Sequence, residues 1–119
     1  MSLIIQDSIV IAANTTNDDV LSGKRNQLID PSTGGAICSF YITGSATGLE
    51  AEAWVGQRNP MERSAINTQN RMPVVPDDLM VNNVAGLPNE VIRIPVTNTT
   101  GGGLTFFYRV EVEEIPRRR

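Results

Sequence analysis

At 119 residues the chain is the size of one ordinary domain, with room for a single core that buries roughly two-thirds of the surface its unfolded form exposes. Apolar residues make up 40% and charged residues 19%, a balance that excludes both a disordered composition and a membrane-like one. The net charge of -3 speaks against nucleic acid as the main partner, because phosphate binding draws on a dense positive field.

Ile, Val, Phe, Tyr and Thr fill the apolar stretches, and most of the ten Gly and seven Pro fall between them. The first group suits a pleated, half-buried surface and the second punctuates turns. Met1 to Ala13 is apolar but interrupted by Gln6 and Asp7 and has no basic n-region, so it reads as a strand and not as a signal or span. Asn14 to Asp19 is a polar loop, and Lys24 to Ile29 is a weak strand candidate. Asp30-Pro31-Ser32-Thr33-Gly34-Gly35 is a strong turn. Ala36 to Thr43 is a strand with Cys38, Phe40 and Ile42 on one face, and Gly44 to Gly48 is the next turn.

Leu49 to Val55 alternates cleanly, with Leu49, Ala51, Ala53 and Val55 opposite Glu50, Glu52 and Trp54. That period marks a strand with one dry and one wet face. Gln57 to Met72 is polar and reads as a long loop with room for one helical turn. Leu79 to Val81 is a short strand, and Asn82 to Glu90 is turn-like. Val91 to Thr97 is a strand in which Pro95 lacks a ladder donor, so it belongs at an edge or has that position unpaired. Asn98 to Gly103 connects it to the longest strand, Leu104 to Ile115, whose stripe is Leu104, Phe106, Tyr108, Val110 and Val112. The expected fold is all-β: one domain over residues 1–119, a two-sheet antiparallel β-sandwich of jelly-roll or Greek-key type.

No catalytic site is legible. The chain has no His, which removes the commonest general base and metal ligand. The lone Cys38 excludes an intrachain disulfide, and mid-strand beside Phe40 it is expected to be a buried, inert thiol. Glu50 with Glu52 and Glu111 with Glu113 share strand faces, as acid–base carboxylates can, but they alternate with apolar residues as solvated positions do. Asp18-Asp19 and Asp77-Asp78 are loop carboxylates of the kind that ligate hard cations, without the spacing of an EF-hand. No metal and no cofactor is expected. Asn14-Thr15-Thr16 and Asn98-Thr99-Thr100 fit the glycosylation pattern.

Two aromatics stand on polar faces: Trp54 among Glu50 and Glu52, and Phe107 with Arg109, Glu111 and Glu113. Large aromatics rimmed by charge are typical interface anchors; the bland reading is that loops of the same domain fold over them. Arg117, Arg118 and Arg119 form a basic tail on an acidic body, either solvated or docked on an acidic neighbour or a phosphate. Trp54, Phe107 and Arg117–Arg119 are therefore the candidate interface residues.

In its turns Asn14–Asp19, Ser32–Gly35 and Asn98–Gly103, its Arg-bearing middle segment and its closing strand Leu104–Ile115, the chain resembles small virion proteins: phage minor capsid, coat and decoration proteins with one sandwich or jelly-roll domain. The resemblance implies a homo-oligomer in a virion assembled in a host cytoplasm, its partners being copies of itself and other virion proteins, with no membrane. The low basic content departs from coat proteins that package nucleic acid. The competing expectation is a carbohydrate- or peptide-binding β-sandwich using Trp54, Tyr41 and Tyr108; an enzyme ranks below both.

Overall fold

A computed structural model describes residues 2–24, 27–75 and 77–116. Among them there are nine strands and no helix: β1 (Ser2–Ile11), β2 (Thr16–Asn17), β3 (Ala36–Gly44), β4 (Leu49–Val55), β5 (Arg58–Ala65), β6 (Leu79–Gly86), β7 (Ile92–Arg93), β8 (Val96–Asn98) and β9 (Leu104–Glu114). They form two antiparallel sheets. Sheet A has the order β1-β9-β3-β6; sheet B has the order β2-β8-β4-β5, with β7 also on β4. Except for the β4–β5 hairpin and the β7–β8 break, each connection passes from one sheet to the other. The chain is an all-β sandwich.

The alternation of the sequence sets the faces. In β4 the residues Leu49, Ala51, Ala53 and Val55 are buried and those between them are not. In β9 the same holds for Phe106, Tyr108, Val110 and Val112. These rows meet Phe40 and Ile42 from β3 and Ile92, Ile94 and Val96 from sheet B in one continuous core. Phe106 and Tyr108 stack within it at 5.8 Å. Burying each large side chain contributes about 1.5–3 kcal/mol, so the two inner faces dominate the stability.

Asn98 is the fully buried polar residue that closes one end. Its amide nitrogen donates to Ile11 O at 2.9 Å and Gly102 O at 2.8 Å, and its oxygen accepts from the backbone N–H and the hydroxyl of Thr100. The first bond ties the Asn98–Gly103 turn to β1, and the other three hold the turn together from within.

The structure corrects four expectations. The segment at Arg58–Ala65 is a strand, not a loop: the two-residue turn Gly56-Gln57 folds β5 back on β4, pairing Val55 with Arg58. Gly56 takes φ 61°, the conformation a glycine-first hairpin turn requires. The strand after Asp78 continues to Gly86 instead of stopping at Val81. It carries a bulge, since Cys38 faces Val84 but Phe40 faces Val81, and Asn83 there has φ 53°. In Lys24–Ile29 the described residues, 24 and 27–29, form no strand; there Leu28 makes one isolated bridge, to Val91. Val91–Thr97 is not continuous either, because the ladder breaks into β7 and β8 around Pro95, which has no N–H to give it.

Candidate functional site

The inner rows leave no chemistry exposed. Cys38 is fully buried, and burial pushes its thiol up to about 11, where the nucleophilic thiolate is scarce at neutral pH. One member of each Glu pair is engaged by an arginine. Glu50 accepts from Arg63 Nε at 2.6 Å, and one oxygen of Glu111 accepts two bonds from the Arg109 guanidinium at 3.0 and 2.9 Å. Arg109 also donates to Gln6 at 2.8 Å. Gln6, Arg109 and Glu111 thus make a polar cluster on the outer face of sheet A, while Glu50 and Arg63 pair on sheet B.

The two Asp pairs hold loops together. Asp19 accepts the backbone N–H groups of Leu21 at 3.0 Å and Ile94 at 3.3 Å, and the side-chain amide of Gln27. Asp78 is buried, ion-paired to Arg71 at 2.8 Å, and accepts the Val74 N–H at 2.8 Å. Both are thus occupied by protein donors, and no group of three His, Cys, Asp or Glu side chains converges among the described residues. A cleft of about 500 Å³ lies beside Asp18 and Asp19, with the hydroxyls of Thr15, Thr16 and Ser22 in its lining but no Lys, Arg or Cys. Asn98 is too deeply buried to serve as a glycosylation acceptor.

Trp54 and Phe107 both point outward, but from different sheets. Trp54 stands on the outer face of sheet B, half-buried, with the Arg93 guanidinium 5.1 Å from its ring centre; β7 supplies that arginine directly opposite, in register. Phe107 stands at the middle of sheet A's outer face, half-buried between Ser8 of β1 and Thr43 of β3. Next to it, the 67–71 segment crosses the end of β3. Gly44 N donates to Asn67 O at 2.9 Å, and the buried Thr43 hydroxyl donates to Arg71 O at 2.5 Å. The sandwich therefore separates the two aromatics, and each stands on its own outer face. Arg117, Arg118 and Arg119 lie outside the described residues.

Compared with known proteins, the chain matches no family model and no curated sequence.

What the sequence reading passes over is the free edge of β1. Among the described residues this ten-residue strand pairs on one side only, with β9, and its outward residues Ile4 and Val10 are 47% and 67% exposed. The other edges are blunted in the ways edges usually are. β2 is two residues long, β5 carries Pro60 with Arg58, Glu62 and Arg63, and β6 is bulged. A signal for the β1 edge is present in the sequence: Leu3-Ile4-Ile5-Gln6-Asp7-Ser8-Ile9-Val10-Ile11 carries its apolar and polar residues symmetrically about Asp7.

Proposed function

We propose that this chain is a structural virion protein, of the capsid, minor capsid or decoration kind, that acts by associating with copies of itself. The observation that carries the reading is the strand order. β1-β9-β3-β6 facing β2-β8-β4-β5 is the order two interleaved Greek keys generate, and we read it as a jelly roll, a fold that recurs in viral capsids. Fold alone does not imply function. The reading gains support from the engagement of the carboxylates in protein contacts, the buried thiol, and an unblunted apolar edge beside three blunted ones.

Jelly rolls also build lectin domains, which keeps a carbohydrate-binding module as the second reading. Of the three aromatics such a site would use, Tyr41 and Tyr108 are buried and Trp54 has Arg93 over its ring. No platform for stacking a sugar is left open among them, which favours self-association.

Light scattering on the purified chain across a wide concentration range tests the reading. The expected result is a closed oligomer or particle whose mass is a whole multiple of 12.9 kDa, as symmetric assemblies give. A monomer at every concentration overturns it.

A further inference from the structure

We infer that the edge of β1 is the contact through which two copies meet: β1 pairs antiparallel with β1 of a second copy across a twofold axis at Asp7, so that sheet A runs on from one molecule into the next. This rests on the self-association proposed above and names its surface.

The direction of the backbone groups comes first. The N–H of Ser8 is bound by the Asp7 side chain at 2.8 Å, which aims it away from β9. In an antiparallel ladder the groups of alternate residues point to alternate sides, so Ile4, Gln6, Ser8 and Val10 present N–H and C=O to the free edge. Among the described residues, no backbone hydrogen bond other than the β9 ladder reaches Ser2–Ile11. Apart from the Ser8 N–H, which would turn from its own Asp7 to the incoming strand, the edge-pointing groups have no backbone partner, and such a row in a long, apolar strand is a template for another strand.

The sequence then selects the occupant. In a twofold pairing about Asp7, residues i and j oppose each other when their numbers are symmetric about it. Ile4 faces Val10 of the other copy, Gln6 faces Ser8, Leu3 faces Ile11, and Ile5 faces Ile9. Outer residues meet outer residues and inner meet inner, as the pleat requires. The two exposed side chains, Ile4 and Val10, cover each other twice by symmetry. The edge-pointing residues also fall opposite edge-pointing residues, so the ladder closes. At the axis Asp7 meets its own copy, and that repulsion is countered because each Asp7 carries the Lys24 ammonium as an ion pair. A shift of the pairing by one residue would set Asp7 against Gln6 or Ser8 and break the match of faces. A strand that complements itself this fully is suited to a second copy of the same chain. Such an isologous contact stands alone as a dimer or joins larger rings across their twofolds.

The test uses the full chain and three variants, each read by light scattering for mass and by far-UV circular dichroism for fold. Ile4→Lys with Val10→Lys sets like charges opposite each other at both ends and is expected to weaken the contact about tenfold or more. Ile4→Lys with Val10→Glu sets opposite charges there and is expected to restore association. Within one chain the two positions lie roughly 20 Å apart, so the rescue cannot arise inside a single molecule. Val10→Pro removes an edge-pointing N–H while sparing the β9 ladder, and is expected to weaken association with the β spectrum unchanged. Should the parent associate and all three variants associate equally well, the β1 contact is overturned while self-association stands. A Lys/Glu variant that stays folded and stays apart, like the Lys/Lys one, overturns the pairing about Asp7. A monomeric parent overturns both readings together.

Discussion

Cys38 shares the inner row of β3 with Ala36 and Phe40 and reaches no solvent. Burial raises its pKa to about 11, against about 9 for a thiol in the unfolded chain. The unfolded state therefore gives up its proton first as pH rises. The stability associated with the neutral thiol is whole below about pH 9 and is lost progressively up to about pH 11, a change on the order of 2–3 kcal/mol. Urea unfolding across that range is expected to show the loss in the parent and a shallower one in Cys38→Ala. A thiol reagent at pH 8 is expected to label the native protein only as fast as it unfolds. Asn98 is the polar counterpart. Asn98→Ala removes the buried donor to Ile11 O and the acceptor of the Thr100 N–H, and is expected to cost about 1–3 kcal/mol, read as a lower urea midpoint with unchanged slope.

The elements divide by how much of each is buried. β3, β4 and β9 carry a buried row, and a buried row imposes the alternation that can be seen in sequence. β5 buries only Met61 and β6 only Gly86, so nothing selects an apolar stripe in either, and Arg58–Ala65 and Asn82–Gly86 look like loops. The better guide to β5 is Gly56-Gln57 directly after the clean strand β4, a two-residue hairpin turn. That turn gives a test at this scale. Glu90 packs against Gly56 Cα, where a Cβ would stand, while also holding Arg58 and the Leu87 N–H. Gly56→Ala puts a side chain in the left-handed region and displaces that carboxylate. The expected cost is about 1–3 kcal/mol, with amide exchange rising chiefly in Arg58–Ala65.

At the scale of the molecule, periodicity tells which residues turn away from a sheet but not which sheet they belong to. The outward aspect of Trp54 and Phe107 was legible for that reason, and their separation onto opposite faces was not, since it depends on long-range strand order. Two faces about one sandwich thickness apart respond independently. Trp54→Ser and Phe107→Ser are therefore expected to leave the far-UV spectrum unchanged and, combined, to alter unfolding free energy additively within about 0.5 kcal/mol. That β1 lies at an edge was not legible, because an apolar strand looks the same in sequence whether one side of its backbone is paired or both are; only its symmetry about Asp7 was there to be read.

The place of β9 between β1 and β3 also fixes an order of events in time. Its register joins Ser2 to Glu113 and Ile11 to Leu104, so β1 waits, during synthesis, for a strand that follows every other described strand of the sandwich. A nascent chain that has not yet delivered residues 104–114 holds β1 and β3 without the neighbour they share, and its inner rows have nothing to close over. Until β9 is delivered both sides of β1 lie open, and open strand edges are templates for stray pairing, so the last strand of the sandwich also ends the interval in which a growing chain is most prone to misassociate.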